Sequence, residues 1–181
     1  MAKAKVLSSK VVFRGPLFSV TSEQVREPAG YTARRDIVRH RGSVVIMAIN
    51  ETHSSLQILL EKQYRHAAGG DLWELPAGKI DGGESALAAG KRELLEETGY
   101  TAQRWRRILY FYVSPGFLDE TMTIFLASGI RRGQAQPEAD ESILSKFVSL
   151  PKALAMIRRG QIRDAKTIAP VFWLALQQKR P

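Results

Sequence analysis

The chain has 181 residues, 44% hydrophobic and 25% charged, which suits one globular domain plus an extension, with a substantial core. It contains no cysteine, which excludes a disulfide framework, a thiolate nucleophile and a zinc-finger site. A formal net charge of +9 favours an anionic partner, but the arginines come in short groups (34–35, 104–107, 131–132 and 158–159) that fall short of a basic nucleic-acid tail.

Two opening strands are expected, "KVVFRG" (10–15) and "FSVTSEQVRE" (18–27), broken by Gly15–Pro16. Pro28–Gly30 turns the chain into a third extended stretch, "YTARRDIVRH" (31–40). Apolar runs at 43–49 and 56–64 predict a hairpin or a neighbouring pair of strands, and "LWELPAG" a strand stopped by proline and glycine. Residues 84–98 suit a helix that ends at Gly99. Strands are expected at 107–115, 121–129 and 146–150, around a polar loop at 131–142. Pro151 opens a helical turn, and a last helix begins at Asp164, with Pro170 expected to kink it or delay its start.

This order predicts a mixed α/β (α+β) fold, with a boundary near residue 42 between an N-terminal strand region (1–42) and the main domain (43–181). No run of about 18 apolar residues predicts a membrane span. The opening residues lack the apolar stretch of a signal peptide, so a cytoplasmic protein is expected. The chain has no G-x-G-x-x-G, P-loop or G-x-S-x-G. His40, His53 and His66 have no metalloprotease spacing and are expected on the surface or in loops. Trp73 is expected in the core.

The helix at 84–98 concentrates acid in a basic chain. At roughly 100° per residue, Glu97 lies about 40° to one side of Glu93 and Glu96 about 60° to the other. Leu87, Ala88, Leu94 and Leu95 fill the opposite arc. A solvated face is one explanation. The other is a site for a hard divalent cation, which takes oxygen ligands from a few carboxylates plus a substrate phosphate. The entry "PAGKIDGGE" suggests a backbone fitted closely around something. Gly90, which costs about 1 kcal/mol against alanine in mid-helix, suggests close packing.

Gly78, Glu84, Arg92, Glu93, Leu94, Glu96, Glu97 and Gly99 match the Nudix box, G-x5-E-x7-R-E-U-x-E-E-x-G-U, at every spacing; only Tyr100 departs, standing where an aliphatic residue is usual. The chain therefore resembles the Nudix hydrolases. That resemblance implies an α/β/α sandwich with a mixed sheet, preceded by a small antiparallel sheet, and hydrolysis of a nucleoside diphosphate linked to another group. It also implies Mg²⁺ or Mn²⁺ held by Glu93, Glu96, Glu97 and the carbonyl of Ala77, with Glu84 in support and Arg92 orienting the carboxylates. "LLEKQYRHAAGGDLWELPAGKIDGGES", Pro115 lying 16 residues beyond Gly99, and "GQIRDAKTIA" resemble the ADP-ribose pyrophosphatase group in particular.

For that group the resemblance implies Arg65 on phosphate, Glu120 on the terminal ribose, and Glu138 or Glu141, with Glu141 preferred, as the loop carboxylate that completes the site. It further implies a homodimer, with or without exchange of the N-terminal region, in which that region brings Arg34 and Asp36 to the nucleotide, with an aromatic such as Phe18 stacked on adenine. ADP-ribose is the expected substrate, giving AMP and ribose 5-phosphate. GDP-mannose or a dinucleotide is an alternative, and a non-catalytic module that binds nucleotide or nucleic acid is a more distant one.

Overall fold

The computed structural model describes residues 3–51, 55–133 and 143–178. The chain forms two compact units, one from the residues up to Ser43 with Phe111–Met122, the other from Val44–Tyr110 with Thr123 onward.

The smaller unit is an antiparallel sheet in the order β1 (Lys5–Arg14), β2 (Ser19–Arg26), β3 (Thr32–Arg39). Its two turns close through backbone bonds from Gly15 to Phe18 O (2.9 Å) and from Gly30 to Glu27 O (2.8 Å), where proline and glycine had marked breaks. β1 begins five residues before the expected strand and is exposed along its whole length, with Val6, Val11, Val12 and Phe13 open to solvent. The segment after Pro115 returns to β3, where Val38 N–H donates to Phe117 O (2.8 Å) and Asp119 N–H to Val38 O (3.1 Å). Arg39 pins this return by donating to Asp119 (3.1 Å) and to the buried Glu23 (2.7 Å).

The larger unit is built on a seven-stranded mixed sheet. Its members are β4 (Ser43–Glu51), β5 (Leu56–Arg65), β6 (Gly70–Glu74), β7 (Ala77–Lys79), β8 (Tyr100–Tyr112), β9 (Thr121–Arg132) and β10 (Leu144–Ser149). The order is β10-β5-β4-β9-β8, with β6 on β5 and β7 on β4. β4 is the heart of the core. Val44, Ile46 and Ala48 cluster with Leu59, Phe125, Ala127 and, from helix α1 (Ala86–Thr98), Ala89 and Leu94. Val45 and Met47 point the other way in a strand and are equally buried, so both faces of β4 are covered. Gly90 brings α1 close: a Cβ there would lie 3.2 Å from a Val44 methyl and 3.5 Å from the Trp105 ring. Helices α2 (Leu150–Arg158) and α3 (Ala165–Gln177) pack on each other, and α2 also on β5 and β10.

Two elements differ from expectation. β8 begins at Tyr100, seven residues early, because Gly99 ends α1 in the left-handed conformation (φ 70°) and turns the chain directly into a strand. α3 runs unbroken through Pro170, and Asp164 occupies its cap position. Proline six residues into a helix removes one backbone bond, and burial of Thr167, Val171 and Leu174 around it offsets the loss.

Candidate active site

The acidic box forms a loop and a helix. Ser85 caps α1, its Oγ accepting from Ala88 N–H (3.1 Å), and the short strand β7 lies against the helix. Two contacts join loop to helix. Ala77 N–H donates to Glu97 Oε2 (3.1 Å), and Glu97 is only 7% exposed. The Glu93 carboxylate sits directly against Gly78, where a Cβ would overlap its carboxyl atoms. Only glycine admits that approach.

Arg92 is the hub. Its guanidinium meets Glu93 Oε1 (2.8 Å) and Glu96 Oε2 (2.9 Å) through Nη1, and Glu84 through Nε and Nη2 (3.3 and 3.2 Å). Nη2 also donates to the Lys79 carbonyl (3.2 Å). These hydrogen bonds, Glu84 first, outweigh burial and hold the arginine above its usual range, while the same bond holds the Glu84 carboxyl below its own. Glu84, Glu93 and Glu96 therefore gather around one cation, which limits the repulsion that helical spacing alone would impose, while Glu97 is held by the Ala77 backbone.

Among the described residues no three His, Asp or Glu side chains stand as a ready coordination sphere. The donor chemistry nevertheless fits a divalent cation. Hard carboxylate oxygens from one helix face lie beside a loop backbone held close by Gly78 and Ala77. Gly78→Ala is expected to displace the Glu93 carboxylate and weaken Mg²⁺ binding about tenfold, measured by calorimetric titration, with α1 intact by circular dichroism.

Arg65, at the end of β5, lies in the same unit. Its Nη2 donates to Glu74 Oε2 (2.8 Å) and its Nε to both Glu74 oxygens (3.2 Å). Burial opposes its charge, but the hydrogen bonds and charge of Glu74, with Glu61 and Glu97 behind it, raise it above its usual range. Glu74 also accepts from Lys166 Nζ (2.6 Å). Neither Glu74 nor Lys166 is part of the box. One signal was present in the sequence: a lysine in the first turn of a helix opposes the helix dipole and needs nearby acid.

The other predicted site residues lie in the smaller unit or outside the described residues. Arg34 and Asp36 pair with each other (3.0 Å) on the exposed face of β3. Glu120 accepts from Ser43 Oγ (2.8 Å) and lies 3.6 Å from His40 Nδ1; His40 stands in the loop between β3 and β4, with its side chain largely covered. Phe18 packs on Phe13, ring centres 5.5 Å apart. His66 is exposed, and Trp73 is half-buried with the Lys146 ammonium 4.0 Å from its ring centre. A cleft of about 420 Å³ in this smaller unit is lined by Arg35, Arg39, Tyr112, Phe117 and Asp119, which sequence reasoning had not singled out. Glu138, Glu141 and His53 lie outside the described residues.

The NUDIX domain family matches residues 39–170, a span that contains the whole box and its loop. The chain belongs to the NUDIX family. Across 176 residues it is 34% identical to the ADP-ribose pyrophosphatase of Bacillus subtilis (strain 168), covering 96% of this chain and 94% of that one. Across 171 residues it is 34% identical to the ADP-ribose pyrophosphatase of Mycobacterium tuberculosis (strain ATCC 25618 / H37Rv), covering 93% and 81%. The fold matches a solved ADP compounds hydrolase with a TM-score of 0.80 at 22% identity, over 99% of this chain and 98% of that one. As a NUDIX enzyme the protein is a hydrolase acting on phosphoric anhydrides, and hydrolases of this family generally use divalent metal ions. Among the described residues no helix is long and apolar enough to cross a membrane.

Proposed function

We propose that this NUDIX enzyme hydrolyses the diphosphate of a nucleoside diphosphate sugar, with ADP-ribose as the preferred substrate and AMP and ribose 5-phosphate as products. The observation that carries this reading is the seating of Glu93 on Gly78 and of Glu97 on Ala77, which gathers the box carboxylates beside a loop backbone. The names of the two pyrophosphatases 34% identical to the chain support the choice of substrate.

Glu93, Glu96, Glu97 and the Ala77 carbonyl are the groups that would hold a divalent cation, Mg²⁺ or Mn²⁺, with Glu84 in support. When bound, such an ion supplies neutralisation of the diphosphate and a lowered pKa for water. The chain's own side chains do the rest. Arg92 holds the neighbouring carboxylates in place. Arg65 offers guanidinium donors to a diphosphate oxygen, a planar match that a lysine does not reproduce. Glu141, with Glu138 as the alternative, takes the proton of the attacking water. That water forms the new bond to phosphorus while the bridging phosphorus–oxygen bond breaks, and AMP leaves.

Within the smaller unit, Glu120 is assigned to the terminal ribose and Arg34 and Asp36 to the nucleotide. The N-terminal strands (1–42) are read as the dimerisation element of a homodimer and residues 43–181 as the hydrolase domain; the exposed apolar side chains of β1 support this. The protein is placed in the cytoplasm.

The test is a substrate panel with Mg²⁺: ADP-ribose, GDP-mannose and a dinucleotide, with released AMP or GMP quantified. The highest kcat/KM is expected for ADP-ribose. Faster cleavage of GDP-mannose would displace the adenine-sugar assignment.

A further inference from the structure

Lys166 occupies the second position of α3, where the free N–H groups of the first turn disfavour a cation. Its side chain is nonetheless only 16% exposed, with Nζ 2.6 Å from Glu74 Oε2 and 3.2 Å from Asp164 Oδ2. Two anions hold it, which is what burial of an ammonium requires. They also tie α3 to the end of β6, 92 residues away in sequence.

The same turn grips the backbone. Thr167 is fully buried, and its Oγ1 accepts from Leu75 N–H (2.8 Å) while donating to Asp164 Oδ2 (2.6 Å). Glu74 is therefore held at its carboxylate by Lys166 and, one residue on, by Thr167. Two residues beyond Leu75, Ala77 donates to Glu97. The strand exit is thus fixed from α3 on one side and from α1 on the other.

Glu74 is shared. Lys166 Nζ (2.6 Å) and Arg65 Nη2 (2.8 Å) meet on one oxygen, Oε2. A guanidinium has five N–H donors on a rigid plane. Binding Glu74 through the Nε–Nη2 edge leaves the Nη1–Nη2 edge for another anion. With Lys166 on Oε2, Glu74 has little capacity to draw in that second edge. Without the ammonium, Oε2 is free to take more of the guanidinium, and the donors a diphosphate needs are spent inside the protein. The charges of Glu61 and Glu97 also act on Arg65, which puts the arginine within electrostatic reach of the acidic box.

We propose that Lys166 is a positioning residue of the hydrolase: from α3 it saturates Glu74, so that Arg65 keeps one edge of its guanidinium for the substrate diphosphate. The proposal rests on the reading of Arg65 as a diphosphate-binding residue.

The experiment is a kinetic double-mutant cycle on the full chain with Mg²⁺ and ADP-ribose, or the best-cleaved substrate of the panel. It uses Lys166→Gln, Lys166→Arg, Arg65→Lys and the Arg65→Lys/Lys166→Gln double variant. Lys166→Gln is expected to raise KM about tenfold with kcat within about twofold, the pattern of lost uniform binding. Lys166→Arg restores most of the loss, and the double variant is no worse than Arg65→Lys alone, because Lys166 acts through Arg65. A Lys166→Gln enzyme with lowered melting temperature but unchanged KM would overturn the proposal and make the cluster a staple only. Losses that multiply in the double variant would overturn it too. An Arg65→Lys enzyme with unchanged KM removes the reading of Arg65, and the proposal with it, whereas an Arg65 effect beside an inert Lys166→Gln sinks the proposal alone. Asp164→Asn, which loosens Lys166 without removing it, gives the same pattern at smaller amplitude and decides the matter should Lys166→Gln not fold.

Discussion

The Glu97→Gln variant is expected to fold normally and to lose about 10²–10³ in kcat with Mg²⁺ saturating. The fold survives because the bond Glu97 accepts from Ala77 N–H needs only an oxygen, and glutamine supplies one at the same length of side chain. What disappears is a full negative charge at a position 7% exposed to solvent, where neither water nor salt replaces it. A divalent ion is worth several kcal/mol of transition-state charge stabilisation, and each 1.36 kcal/mol is a factor of ten in rate. Loss of half or more of that contribution gives the stated range. Glu96→Gln is the internal control. Its side chain is 38% exposed and shares Arg92, so its loss is milder. Steady-state kinetics across a Mg²⁺ titration, with near-ultraviolet circular dichroism for the fold, decides it. Full turnover in Glu97→Gln would remove the box from the chemistry.

That the box was legible and its supports were not follows from distance along the chain. Arg92, Glu93, Glu96 and Glu97 lie on one stretch of α1, so helical geometry alone brings them to one side, and Glu84 stands just ahead of the Ser85 cap. The packing reading of Gly90 was equally local, since a side chain there would crowd Val44 and Trp105. Arg65, Glu74 and Lys166 meet only because β5 pairs with β6 and α3 returns across the end of β6, which no local spacing encodes. The early start of β8 was hidden for a different reason. "TAQRWRR" is polar and carries no apolar run, but it lies on the outermost strand of the sheet, where exposed arginines are compatible with a strand and discourage further pairing. α3 was misjudged at Pro170 because local propensity disfavours proline inside a helix, whereas a helix buried along Thr167, Val171 and Leu174 tolerates one missing bond.

Glu74→Gln should be the most destabilising single exchange in this cluster, by about 2–3 kcal/mol near neutral pH. Glu74 is 1% exposed and compensates two cations at once, Arg65 and Lys166. Removing one partner of a buried ion pair costs roughly 3–5 kcal/mol, because the other charge stays buried without its counter-ion. The lower figure applies here, since Arg65 is 36% exposed and recovers solvation and Lys166 keeps Asp164. At about 2–4 °C per kcal/mol for a chain of this size, the melting temperature falls by about 5–10 °C.

The pH dependence separates lost charge from lost packing. Burial alone would raise the Glu74 carboxyl, but the hydrogen bond from Arg65 and the charge of Lys166 prevail and hold it below its ordinary 4.5. A carboxyl depressed in the folded state binds its proton first in the unfolded chain, so stability rises with pH between the two pKa values. The contribution is therefore complete above about pH 4.5 and is lost as pH falls through the folded value. Urea unfolding of both proteins at neutral pH and at successively lower pH should show a constant gap down to about pH 5, then a narrowing one, with the wild-type curve the steeper. Curves that stay parallel into acid would mean that Glu74 contributes shape and not charge, and the electrostatic account of the Arg65–Glu74–Lys166 cluster would fail.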